Sequence, residues 1–136
     1  MQAKYLHSQL TSEIIRHFYT VYNTLGFGFL EKVYEKAMFY ELQQNGLFVE
    51  RQKPISVYYK DLLVGDYFAD LCVNNSIIIE IKAAECLREE HEWQLINYLK
   101  ATELEIGLLL NFGKGPEIRR KIFTNDRKKQ HTDGTD

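Results

Sequence analysis

The stretch Asp70-Leu-Cys-Val-Asn-Asn-Ser-Ile-Ile-Ile-Glu-Ile-Lys82 decides the fold of this chain. A strand sends successive side chains to opposite faces, so Glu80 and Lys82 share one side while Ile77, Ile79 and Ile81 take the other. On the preceding run Tyr67, Ala69, Leu71 and Val73 form a matching apolar set, with Phe68, Asp70 and Cys72 between them. Asn74-Asn75-Ser76 carries the turn chemistry that joins the two runs. The apolar face falls on odd numbers in both runs, so directly opposed residues must sum to an even number. A three-residue loop at 74–76 meets that condition and pairs Val73 with Ile77, Leu71 with Ile79 and Asp70 with Glu80. A two-residue loop would set Asp70 opposite Ile79 and mix the faces, which a one-sided core forbids.

Two carboxylates opposed in this way destabilise a sheet unless something compensates them. At an effective dielectric near 20, two charges about 4 Å apart repel by roughly 4 kcal/mol. A proton on one acid or a cation between them removes that cost. Lys82 relieves part of it and a divalent metal relieves more, because hard oxygen ligands suit Mg²⁺ and Mn²⁺. The competing reading is a salt-bridge ladder on a half-exposed sheet.

Composition narrows the class. A chain of 136 residues that is 45% hydrophobic is long and apolar enough for one domain with its own core. Its two cysteines, Cys72 and Cys86, match no zinc spacing and fit a reducing compartment. The opening Met1-Gln-Ala-Lys-Tyr5 lacks the apolar core of a signal peptide and no run reaches membrane-spanning length, so the expected location is the cytoplasm, with no membrane partner. The net charge of −2 excludes a general polyanion binder. Basic residues do gather at Arg119, Arg120, Lys121, Arg127, Lys128 and Lys129, where they either touch phosphate or form a solvated strand and tail.

Periodicity gives the order α-α-β-β-β-α-β-β. A helix is expected over about Thr11–Leu25, capped by Thr11 or Ser12 and closed by Gly26. A second runs from about Phe29 to Asn45, with Leu30, Val33, Ala37 and Tyr40 as its apolar stripe and Gly46 behind it. Strands follow at about 48–59, 62–73 and 76–83, with Pro54 marking an edge or bulge and Lys60-Asp61 a hairpin turn. A third helix over about Leu87–Thr102 leads to the continuous apolar run Ile106–Phe112, a buried strand. Glu117–Phe123 reads as an edge strand. The expected domain covers 1–123, and 124–136 reads as a basic and polar disordered tail.

Two further patterns accompany the acids. Gly28-Phe-Leu-Glu31-Lys-Val-Tyr34 opens the second helix and sets Glu31 and Tyr34 on one face. Glu31 can simply complement the helix dipole and Tyr34 can simply pack. Gln94-Leu-Ile-Asn-Tyr98 places Gln94 and Tyr98 on one face of the third helix, twelve residues beyond Lys82. His91, Glu85, Glu90 and Trp93 read better as capping, solvated and packing residues than as ligands or stacking platforms. His7, His17 and His131 show no ligand spacing.

The element order, with Asp70 on one strand and Glu80-Ile-Lys82 on the next, resembles the restriction-endonuclease-like αβββαβ core of the PD-(D/E)xK nuclease superfamily over roughly residues 10–112. Here an extra N-terminal helix and a C-terminal edge strand flank that core, and Ala69 stands where the motif has proline. Gly28, Glu31 and Tyr34 are similar to the signature of GxxExxY proteins, and Gln94 with Tyr98 resembles the QxxxY element of RecB-type nucleases. The resemblance implies a nuclease using Mg²⁺ or Mn²⁺, held by Asp70, Glu80, Glu31 and the Ile81 carbonyl. It implies that Lys82 orients the attacking water or stabilises charge in the transition state, with Gln94 and Tyr98 as positioning groups. It implies nucleic acid, DNA first, as partner. A chain this small would also suit a homodimer. The rival from another class is a non-catalytic module on the same fold that binds nucleic acid or protein.

Overall fold

The structure, a computed structural model, describes residues 7–128; the opening Met1–Tyr5 segment, Lys129, His131 and the rest of 129–136 lie outside the described residues. The elements are α1 (Ser8–Leu25), α2 (Glu31–Gln44), β1 (Val49–Tyr59), β2 (Leu62–Val73), β3 (Ile77–Lys82), α3 (Glu89–Lys100), β4 (Ile106–Phe112) and β5 (Pro116–Ile122). They form one sheet in the order β1-β2-β3-β4-β5. Neighbouring strands run antiparallel except β3 and β4, which are parallel because α3 crosses between them. Among the described residues no helix is long and apolar enough to cross a membrane.

The hairpin register follows the parity of the apolar residues. Val73 opposes Ile77 and Leu71 opposes Ile79, with Asn74 and Asn75 both left-handed in the three-residue loop. Leu71, Val73, Ile77, Ile79 and Ile81 pack with Ile14 and Phe18 of α1 and Tyr34, Met38 and Leu42 of α2. Ile78 and Leu109 pack on the other face with Leu95, Tyr98 and Leu99 of α3. That helix lies close: a Cβ on Gly107 of β4 would come within 2.6 Å of the Leu95 side chain.

Parity does not persist along the whole of β2. Tyr67 and Ala69 were expected on the face of Leu71 and Val73, yet Ala69 packs with Leu95 and Tyr98, and the Tyr67 ring lies 5.8 Å from that of Tyr98. The faces exchange at Asp70. On the neighbouring strand Gln52, between the Arg51–Leu71 and Lys53–Ala69 pairs, has a left-handed φ of 51°. A second irregularity follows at Val57/Tyr58, and β1 is an edge strand, where Pro54 costs no ladder bond to a further neighbour.

The helices also differ from their sequence readings. α1 starts at His7, left-handed and without a side-chain cap, so Thr11 and Ser12 lie inside the first turns. On α2 the buried residues are Tyr34, Glu35, Met38 and Leu42, whereas Leu30 and Tyr40 of the expected stripe are 81% and 63% exposed. The same period simply runs through a different set, because Tyr34 stacks on Phe112 at 4.2 Å. α2 begins at Glu31, after Gly28 with φ 110° and the extended Leu30. Within the expected tail, residues 125–128 form a helical turn: the Asn125 amide donates to Glu105 at 2.7 Å and the Lys128 ammonium donates to the carbonyls of Thr102 and Leu104.

Candidate active site

The ladder between β2 and β3 ends at Leu71–Ile79, and side chains take over where it stops. The Asp70 amide donates to Oε2 of Glu80 at 2.9 Å, and the Ile81 amide donates to Oδ2 of Asp70 at 2.8 Å. Each carboxylate therefore takes an N–H from the opposite strand. The isoleucines of β3 keep Glu80 inside, 5% exposed, while Asp70 is half-buried.

Burial raises both acids above their ordinary values. Glu80 is pushed up to about 8, first by burial and then by the Asp70 charge, against the opposing pull of the Asp70 amide and Lys82. Asp70 is raised as well, chiefly by burial, with the Ile81 amide opposing and Glu35 adding repulsion. The ion pairs among the described residues include neither acid. Lys82, half-exposed at the end of β3, acts on both at longer range.

The chain after Lys82 is anchored by a residue that the sequence reading passed over. Asn111 lies beside Lys82 in the β3–β4 register and is fully buried. Its Oδ1 accepts the Ala84 amide at 2.9 Å, and its Nδ2 donates to the Ala84 carbonyl and to Glu117, both at 3.0 Å. A lone polar residue in the apolar run 106–112 was the available signal.

Glu31 and Glu35, one turn apart on α2, differ in their surroundings. Glu31 sits exposed in the first turn of α2 and raises Asp70 and Glu80 only weakly, last among their causes. Among the described residues no three His, Cys, Asp or Glu side chains come together as a metal group, so the expected Asp70–Glu80–Glu31 cluster is not assembled. The physical reason is position: the helix start keeps Glu31 in solvent while both core acids are turned onto backbone amides. Glu35, one turn later, is buried and is the acid on α2 that Asp70 feels most. Arg51 holds it at 3.3 Å and Gln52 donates to it at 3.0 Å. A buried glutamate four residues beyond Glu31 was visible only once the true buried face of α2 was known.

The rest of the Gly28–Tyr34 pattern is structural. The Tyr34 hydroxyl donates to the Gly26 carbonyl at 2.7 Å and accepts the Phe29 amide at 3.1 Å, closing the break between α1 and α2. On α3, Tyr98 is 7% exposed and its hydroxyl is pushed up to about 12 by burial and then by Glu80 and Asp70, so it stays a neutral donor beside the acids. Gln94 is exposed and lines a cleft with Tyr98, without a hydrogen bond to either acid among the described residues. His91 accepts the Arg88 amide at 3.1 Å and so caps α3. The basic cluster is largely engaged: Arg119 pairs with Glu92 and Glu117, Lys121 pairs with Glu92, and Arg127 covers Phe123.

The donor set suits a hard divalent cation. Oδ1 of Asp70 and Oε1 of Glu80 carry no hydrogen bond among the described residues, so each acid keeps one oxygen open to a cation. In an extended strand a residue's N–H and C=O point the same way, so the Ile81 carbonyl turns toward Asp70 with its amide.

Comparison with known proteins agrees with this architecture. A family model of the PD-(D/E)XK nuclease superfamily matches residues 8–122, and the chain belongs to that superfamily. The crystal structure of SSO0001 is similar to it with a TM-score of 0.56 and 17% identity, over 98% of this chain and 69% of that one. That likeness is one of fold, and the mixed α/β sheet is restriction-endonuclease-like. No curated protein matches the chain significantly.

Proposed function

We propose that this member of the superfamily is a divalent-metal-dependent nuclease, hydrolysing phosphodiester bonds at the split between β2 and β3. The observation that carries the reading is the interlocked pair: Asp70 and Glu80 sit buried or half-buried on each other's strands, with no ion pair to either among the described residues. A pair kept for stability alone would bring its counter-ion with it. We further place the chain beside the GxxExxY proteins, on Gly28, Glu31 and Tyr34.

Asp70, Glu80 and the Ile81 carbonyl would hold Mg²⁺ or Mn²⁺, with Glu31 reaching the ion through water. The ion, when bound, supplies a more acidic water and polarises the phosphoryl group. Lys82 stabilises the negative charge that develops on the phosphoryl oxygens. Tyr98 offers a neutral hydroxyl beside the acids, and Gln94 orients the strand from the neighbouring cleft. Asn111 keeps Lys82 in place through Ala84. The free thiols of Cys72 and Cys86 fit a cytoplasmic setting.

The second reading is a non-catalytic module that binds nucleic acid or protein; the structural use of both acids, Glu80 accepting from Asp70 and Asp70 from Ile81, favours it. Single- and double-stranded DNA and RNA, offered with Mg²⁺, Mn²⁺ or chelator, separate the two. Metal-dependent cleavage that disappears in Asp70→Ala and Lys82→Ala supports the nuclease. Intact substrates throughout, with no heat of Mn²⁺ binding by calorimetry, hand the site to the binding module.

A further inference from the structure

Beside the acid pair, α3 and the β1–β2 hairpin enclose a cleft of about 750 Å³, within the size range of small-ligand sites. Four aromatic side chains line it: Tyr58 and Tyr67 from the hairpin, Trp93 and Tyr98 from α3. Trp93 and Tyr58 are each 62% exposed and Tyr67 is 48% exposed, so these rings are not spent on the core. Expecting Trp93 to be a packing anchor was therefore wrong: it falls on the outer side of the helix whose inner side is Leu95 and Leu99. The amides of Gln94 and Asn97 stand among the rings. Tyr98 ties the cleft to the acid pair, since it lines the cleft and packs in one cluster with Ala69, the chain neighbour of Asp70.

We propose that this cleft seats unpaired nucleobases, which makes the substrate single-stranded nucleic acid. Open aromatic faces stack on bases, and amides read base edges. A base inside a duplex has both faces covered by its neighbours and cannot enter. The charged side chains lining the cleft are Lys100, which can meet the backbone of one strand, and Glu90, which leaves no basic track for a second. A base seated there carries its own phosphate. What happens to that phosphate rests on the nuclease reading; the seating of the base does not.

Trp93 is the one tryptophan in the chain, so its emission reports the cleft alone. In chelator, where nothing is cut, the protein is titrated with single-stranded DNA or RNA of about 12 nucleotides, a duplex of that length, and an abasic sugar-phosphate strand. The expected result is quenching of Trp93 by the base-bearing single strands, with binding about ten-fold tighter than for the duplex or the abasic strand. The tighter of the DNA and RNA strands identifies the sugar. Tyr58→Ala, an exposed position, should weaken that binding about ten-fold and leave the melting temperature unchanged. Equal binding of the abasic strand or the duplex, or saturation without quenching, overturns the proposal. Cleavage in Mn²⁺ without quenching in chelator would sink the base cleft and leave the nuclease. Quenching without cleavage would do the reverse.

Discussion

The Asp70 amide donates to the Glu80 carboxylate at 2.9 Å, where a backbone carbonyl would ordinarily complete the ladder. The exchange is reciprocal through Ile81, so carboxylates take up the bonds beyond the last ladder pair. It happens at the residue where β2 exchanges its faces, opposite the left-handed Gln52. The same irregularity directs Ala69 and Tyr67 to α3.

Stability without metal should fall as pH rises. The folded pKa of Glu80, about 8, lies above its ordinary 4.5, so between these values the folded chain binds more protons than the unfolded one. The stabilisation is fully present below pH 4.5 and lost as pH climbs through about 8, with a slope of at most about 1.4 kcal/mol per pH unit. Asp70, also raised, acts in the same direction. Melting temperatures in chelator across that range should drop for wild type relative to Glu80→Gln, whose amide cannot ionise. Added Mn²⁺ should reverse the drop for wild type alone. A gap between the two proteins that stays constant with pH would remove the buried-acid reading.

Removing Arg51 should strand Glu35. Their ion pair has one buried end and one half-exposed end, so Arg51→Ala should cost about 2 kcal/mol, between exposed and fully buried pairs. The double variant Glu35→Gln with Arg51→Ala should unfold at higher urea than Arg51→Ala alone, because the uncompensated charge is gone. If the two unfold together, Glu35 is better solvated than its burial indicates.

Tyr34→Phe should loosen the entry to α2 while leaving its packing on Phe112. The lost hydroxyl leaves the Gly26 carbonyl and the Phe29 amide without their partner, a cost of about 1–3 kcal/mol. Urea unfolding measures it, and an unchanged midpoint would show that water replaces the hydroxyl freely.

The hairpin was legible because its information is local: alternating side chains and an Asn-Asn-Ser loop fix one register for Leu71–Ile79. β4 was legible because a strand buried on both faces is apolar throughout, and Asn111 was overlooked inside it for that same reason. The face of α2 was misread because Leu30, Val33 and Tyr40 have the right period and hydrophobicity, and only the ring of Phe112, far along the chain, selects Tyr34 instead. Glu35 stayed hidden behind that error. The exchange of faces at Asp70 depends on Gln52 adopting a left-handed backbone that nothing in its side chain announces. That Asp70 and Glu80 would meet was readable from spacing; their use of backbone amides as partners was not.

Lys82 distinguishes a chemical role from a structural one. It is half-exposed, and neither acid takes part in an ion pair among the described residues, so its absence removes long-range compensation rather than a contact. If neutralising the acids were its whole task, Lys82→Met would melt early in chelator and recover its full cleavage rate once Mn²⁺ supplied the missing charge. If it meets the phosphoryl group in the transition state, Lys82→Met should bind Mn²⁺ as wild type does, melt with wild type in its presence, and cut about 10²–10³-fold more slowly. The second outcome is expected. The decisive comparison takes melting temperature and single-turnover cleavage in Mn²⁺ on the same preparation, because only a group used in the transition state lowers the rate at unchanged stability and metal affinity. A Lys82→Met variant that cuts at the wild-type rate would return the residue to electrostatic support of Asp70 and Glu80.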